Sequence, residues 1–254
     1  VTTERAARLL GKPCGRYLTL SLEALSRREE EAFPRSVRVL AALIETLLPP
    51  LDSAAPVLIA GLGSRSITPD AVGPRSADHV IATRHLISRS PASFASWRPV
   101  SVLAPGVLGQ TGVETGEIVR GVLDHVRPRA VIVIDALAAG RLSRLVRTVQ
   151  LADTGIVPGS GVNNARAALD RQTLGVPVLS IGVPTVADGG SLAHEIAQQL
   201  DGAQCEALDD LSQPFIITTR DIDREVADTA RLIGYAVNMA LQHISVEEID
   251  LYLS

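Results

Sequence analysis

Residues 130–135 have the sequence Ala-Val-Ile-Val-Ile-Asp, an apolar run that ends at a carboxylate. A short apolar run rich in β-branched residues is typical of a parallel strand that is buried on both faces. Residues 57–60, 100–104 and 176–181 form similar runs. Together the four runs predict a mainly parallel sheet.

Amphipathic stretches between these runs predict helices over about 76–88, 114–125 and 191–200. Alternating strands and helices with right-handed crossovers predict a three-layer α/β fold, a mostly parallel twisted sheet with helices on both faces. Toward the termini the pattern predicts an edge strand at 15–20, a helix over 28–48, a loop at 201–213, a strand at 215–218 and a long helix that ends at about 243. We expect a single domain over 1–254, with an N-terminal extension at 1–50, a core at 56–200 and a C-terminal unit at 215–243.

The composition excludes several classes of protein. The 254 residues carry a net charge of −4 and only 3% aromatic residues, which argues against a nucleic-acid-binding surface. Cys14 and Cys205 lie far apart, so neither a disulfide framework nor a structural zinc site is expected. No apolar run reaches the roughly 18–20 residues that span a bilayer, and the first residues lack a signal-peptide pattern. We therefore expect a soluble intracellular protein.

Glycine-rich loops follow the predicted strands, at the edge of the sheet where open α/β folds bind ligands. The Gly-Leu-Gly at 61–63 could begin a dinucleotide-binding fingerprint, but position 66 is serine where the third glycine is required. The Gly-Ser-Gly turn at 159–161 presents amides that could hold an oxyanion or a substrate carbonyl.

Two carboxylates in these loops are candidates for acid–base chemistry. Asp135 ends the buried run, where partial desolvation raises a carboxyl pKa; it could equally cap the next helix. Asp70 lies in the first loop, where it could also be a helix cap or a turn residue. If both face one cleft, the pair can activate a water. Asp153 and Asp188 are weaker candidates that could cap turns or line the cleft. His79 and His85, predicted to share a helix, do not face each other.

The ordered set of loop motifs resembles one family, the germination proteases of spore-forming bacteria. The resemblance runs from about residue 11 to residue 188, with a weaker continuation over 216–243. It rests on the segments 61–74, 83–86, 98–101, 104–107, 111–115, 134–138, 153–156, 158–162, 175–178 and 181–186.

This resemblance implies an aspartic-type endopeptidase that degrades small acid-soluble spore proteins, is made as a zymogen, and forms a homotetramer in the cytoplasm of the forespore or spore core. The implied fold is phosphorylase/hydrolase-like and similar to the hydrogenase-maturation peptidases. The implied catalytic residues are Asp70 and Asp135. We expect the substrate to be positioned by Gly61, Gly63, Ser64, Asp153, Gly159, Ser160 and Gly161. No direct contact with nucleic acid or membrane is expected.

The sequence also departs from the family pattern. Position 157 is valine where a histidine is expected, and the part before Gly11 is shorter than in typical members. Two alternatives stay open. One is a metal-assisted peptidase that uses the same pair, as in the hydrogenase-maturation peptidases. The other, which these departures favour, is a protein-binding homologue with impaired catalysis. No cofactor is predicted, because no His/Cys cluster has the spacing of metal ligands.

Overall fold

The computed structural model describes residues 1–160, 166–190 and 215–254, and these residues form a seven-stranded sheet flanked by helices. The strands are β1 (Tyr17–Ser21), β2 (Val57–Gly61), β3 (Val100–Leu103), β4 (Ala130–Ala138), β5 (Thr148–Ala152), β6 (Val178–Asp188) and β7 (Ile216–Ile217). Their order is β1-β5-β6-β4-β2-β3, and β7 pairs with the end of β6. The pairs β3–β2, β2–β4 and β4–β6 are parallel, whereas β6–β5, β5–β1 and β6–β7 are antiparallel. The predicted α/β fold with a mainly parallel sheet is confirmed.

The helices lie on both faces of this sheet. The helices of the described residues are α1 (Glu4–Leu10), α2 (Glu23–Ser26), α3 (Ala32–Leu47), α4 (Val72–Asp78), α5 (Arg84–Arg89), α6 (Leu108–Thr111), α7 (Thr115–Val126), α8 (Arg171–Leu174), α9 (Ile222–Gln242) and α10 (Val246–Leu253). Single turns of 3-10 helix occupy Thr68–Asp70 and Leu142–Arg144. None of the helices in the described part of the chain is long and apolar enough to cross a membrane.

The central strand β4 explains the layering, because successive side chains of a strand point to opposite faces. Ile132 and Ile134 pack in one apolar cluster with α3 and α9. Val131 and Val133 pack in a second cluster with α7. Both faces of β4 are therefore buried, as its apolar run predicts.

Several predicted elements are shorter, longer or divided. The helix expected at 76–88 consists of α4 and α5, so His79 and His85 do not share a helix. The break is held by Asn238 of α9, whose amide donates to the carbonyl of His79 and accepts from the amide of Ile81. Strands β4 and β6 continue well past the predicted ends, and β5 was not predicted. The helix and the loop expected between 191 and 213 lie outside the described residues.

Candidate active site

The loop after β2 is shaped around Asp70. Gly63 has a φ of +107°, and a Cβ at this position would lie 2.0 Å from the main-chain oxygen of Asp70. Only glycine fits there without strain. The amide of Ser64 donates a 2.7 Å hydrogen bond to Oδ2 of Asp70, which fixes this carboxyl group inside the loop.

A second close approach brings this loop against β4. A Cβ on Gly73, near the start of α4, would lie 2.2 Å from the main-chain oxygen of Leu62 and 2.5 Å from that of Ile134. The amide of Leu62 in turn donates to the oxygen of Ile134. The glycine therefore lets α4 pack directly on the strand ends, and it holds the Asp70 loop beside the residue that follows Ile134.

That residue is Asp135, which lies inside β4 and pairs with Gly182 of β6. It is only 6% exposed. Its Oδ1 accepts a 2.9 Å hydrogen bond from the amide of Ala136. The interpretation of Asp135 as a helix cap is wrong, because β4 continues to Ala138 and no helix begins here.

The electrostatic surroundings separate the two carboxyl groups. Burial, and then the negative charge of Asp70, raise the pKa of Asp135 to about 7. Burial also raises the pKa of Asp70, but the amide of Ser64 opposes this by stabilising the charged form. Acid–base catalysis uses pairs of carboxyl groups whose surroundings shift their pKa values to different extents.

Both aspartates line one cavity of about 670 Å³, within the range of small-molecule sites. Much of its wall is apolar: Leu62, Ile67, Val107, Leu108, Leu137, Val157 and Val186. Three other predicted site residues also line it: Gly63, Gly159 and Ser160.

The remaining predicted site residues lie elsewhere. Gly61 ends β2 and Ser64 lies in the loop after it, and neither residue is part of the cavity wall. Asp153 is also absent from that wall, and its carboxylate binds the amide and the guanidinium of Arg16, each at 2.8 Å. Gly161 lies outside the described residues.

Four polar residues of the cavity wall were not among the predicted site residues: Glu114, Thr115, Arg166 and Thr185. Glu114 caps α7 and accepts a 3.2 Å hydrogen bond from Nη1 of Arg166. Thr185 lies on β6, in a segment that was expected to be a loop. The Val-Pro-Thr sequence at 183–185 marked this segment as functional without indicating which residue faces the site.

Comparison with known proteins decides the family. The family model of germination protease matches residues 1–202. A germination protease of Caldanaerobacter subterraneus subsp. tengcongensis is 39% identical over 95% of this chain and 83% of its own length. A germination protease of Clostridium perfringens is 34% identical over all of this chain and 86% of its own length. The chain belongs to the germination protease family.

A solved structure is also similar, a [NiFe] hydrogenase maturation protease from Thermococcus kodakarensis. It has a TM-score of 0.42 and 16% identity, and the match covers 77% of this chain and 99% of that one.

Membership in the germination protease family makes the chain a peptidase of the kind that acts in spore germination.

Val157, which stands where the resemblance predicts a histidine, lies on the cavity wall and is 41% exposed. The described residues contain no group of three or more His, Cys, Asp or Glu side chains that could share a metal ion. A metal ligand set centred on Asp70 and Asp135 therefore lacks a third side chain of these types in the described ranges.

Proposed function

We propose that this protein is an endopeptidase that hydrolyses small acid-soluble spore proteins and that Asp70 and Asp135 activate the water. The observation that carries the proposal is the pair itself. Both carboxyl groups line one apolar cavity, and Asp135 is buried without a salt-bridge partner among the described residues. A buried carboxyl group without a counter-charge is costly to a fold, and such groups concentrate at functional sites.

The raised pKa values assign a role to each residue. Asp70, whose charged form is stabilised by Ser64, is the general base: it takes one proton from water as the water oxygen attacks the scissile carbonyl carbon. Asp135, with a pKa of about 7, holds a proton near neutrality and gives it to the leaving nitrogen as the C–N bond breaks. The new carboxylic acid releases its proton, and exchange with solvent returns the pair to its starting state. Because Asp135 loses its proton above about pH 7, the rate falls on the alkaline side.

The cavity wall suggests how a substrate chain is held. Its apolar residues exclude water from the carboxyl pair, and the turn at Gly159 and Ser160 lies on the same wall. Gly159 has a φ of +72°, a conformation in which main-chain amides can face a bound peptide. Processing from a zymogen, homotetramer assembly and a location in the spore core belong to the same proposal, and they rest on the family resemblance.

The test is cleavage of a purified small acid-soluble spore protein, followed by gel electrophoresis and mass spectrometry. We expect Asp135→Asn and Asp70→Asn each to lower kcat/KM by about 10³-fold, since each removes one proton-transfer group. Asp124→Asn is the matched control, because Asp124 is exposed on α7 and should leave the rate unchanged.

Circular dichroism must show that all three variants are folded. Near-normal cleavage by Asp135→Asn would overturn the proposal, as would loss of activity in the intact protein after exhaustive chelation. Binding of the spore protein by the intact chain without turnover would favour a binding homologue instead.

A further inference from the structure

Strand β6 carries an irregularity beside the carboxyl pair. Leu137 of β4 pairs with Pro184, but the next residue, Ala138, pairs with Val186. Thr185 is therefore the extra residue of a β-bulge. Bulges occur often beside active sites, where they redirect one side chain relative to the regular alternation of the strand.

The side chain of Thr185 is unusual for a core position. The residue is 0% exposed, and its Oγ1 has no hydrogen-bond partner among the described residues. A buried hydroxyl without a partner destabilises a fold, whereas a valine of the same shape would not. Ser180, on the same strand, shows the usual arrangement, because its hydroxyl donates to the carbonyl of Ala152.

Thr185 is held by a main-chain hydrogen bond and borders the cavity. Its carbonyl oxygen accepts a 2.7 Å hydrogen bond from the hydroxyl of Thr218. The residue also lines the cavity that contains Asp70 and Asp135. The unpaired hydroxyl is therefore buried in a residue that borders the proposed active site.

A hydrolytic site needs donors for the carbonyl oxygen of the substrate, which becomes negatively charged when water adds. Several donors close to the carboxyl pair are already used within the protein. The amide of Leu62 donates to Ile134, and the amides of Ser64 and Ala136 donate to the two aspartates. The loop amides that the sequence suggested for substrate binding are thus partly occupied.

We propose that Thr185 is a further catalytic residue, whose hydroxyl donates a hydrogen bond to the oxygen of the scissile carbonyl. This inference rests on the proposed function. Thr185 has no accessible surface in the free protein, so its hydroxyl reaches the substrate oxygen through a rotation about χ1 and a local shift of the cavity wall that accompany binding. In a site shielded from water, such a bond strengthens as charge develops on the oxygen.

The test compares Thr185→Val, which keeps the shape, with Thr185→Ser, which keeps the hydroxyl. We expect Thr185→Val to lower kcat by about 100-fold with KM nearly unchanged, the loss that is typical for one oxyanion donor. Thr185→Ser should stay within a few-fold of the wild type. Thr185→Val should also unfold at an equal or higher urea concentration, because it removes an unpaired buried hydroxyl. A residue with a purely structural role would not combine lower kcat with undiminished stability.

Three outcomes would overturn the role of Thr185. Thr185→Val could retain kcat, or Thr185→Ser could lose as much as Thr185→Val, which would make side-chain shape the important property. The alkaline limb of the pH–rate profile could shift in Thr185→Val, which would mean that the hydroxyl acts on Asp135 rather than on substrate. Asp135→Asn, measured in parallel, separates the two proposals. If it is inactive while Thr185→Val is active, only the role of Thr185 fails; if it is active, the aspartate mechanism fails.

Discussion

Asp135 and Asp153 both follow apolar strand residues of one sheet, yet their surroundings are opposite. Asp135 lies inside β4 and is buried against the negative charge of Asp70. Asp153 comes directly after β5, and its side chain is 25% exposed and bound to Arg16. The sequence around each residue suggested the same pair of roles, a cap or a cleft residue.

The partner of each carboxylate decides what it does. Arg16 reaches from Asp153 to the carbonyl oxygens of Thr46 and Leu47 at the end of α3, so this ion pair joins β1, β5 and a helix. Among the described residues Asp135 forms no ion pair, and the negative charge of Asp70 repels its own charge. The carboxylate of Asp153 thus stabilises the fold, whereas the negative charge of Asp135 destabilises it.

The two aspartates should differ most in how they make the stability of the fold depend on pH. Because the pKa of Asp135 is raised to about 7 from 3.8, the folded state keeps a proton between these pH values that the unfolded state releases. Stability therefore falls as pH rises from about 4 to about 7. At about 1.4 kcal/mol for each pH unit, the loss at pH 8 reaches the order of 4 kcal/mol.

Asp135→Asn removes this loss, since asparagine resembles the protonated acid and can still accept from the amide of Ala136. We expect the variant to be more stable than the wild type in urea unfolding at pH 8, with the difference vanishing toward pH 4. A variant that is less stable at pH 8 would show that the charge of Asp135 is stabilised in the folded state.

A smaller effect is expected from the electrostatic coupling between the carboxylates of Asp70 and Asp135. The charge of Asp70 contributes to the raised pKa of Asp135, so Asp70→Asn should make Asp135→Asn less stabilising at pH 8. We expect a coupling free energy on the order of 1 kcal/mol from a double-mutant cycle of urea unfolding curves. At pH 4 the coupling should shrink, because the carboxyl group of Asp135 is protonated there. Additive effects at pH 8 would mean that the two groups do not sense each other.

The sequence predicted what depends on local pattern. The apolar run before Asp135 identified a strand buried on both faces, and the glycines at 61 and 63 indicated a closely packed loop. The structure shows that Gly61 and Gly63 make room for main-chain atoms of Gly73 and Asp70. The prediction that Asp70 and Asp135 face one cleft followed from the rule that parallel strands end at the same edge of a sheet.

Features that depend on distant partners could not be predicted. Asp153 binds an arginine that lies 137 residues earlier in the chain, and no local signal reveals that contact. Strand β5 contains the polar Gln150 and is specified by its pairing with β1 and β6. The bulge at Thr185 arises from the register between β4 and β6, which is a property of the folded sheet.

The smallest effect concerns the Arg16–Asp153 pair and should have the opposite sign. Arg16→Ala removes the ion pair and two hydrogen bonds to α3, so we expect a loss of about 1 kcal/mol in the free energy of unfolding. Arg27→Ala is the control, because its pair with Glu23 is exposed on both sides and should contribute less. If Arg16→Ala instead stabilises the protein, the ion pair of Asp153 does not stabilise the fold. The partner of a carboxylate would then fail to distinguish a structural aspartate from a catalytic one.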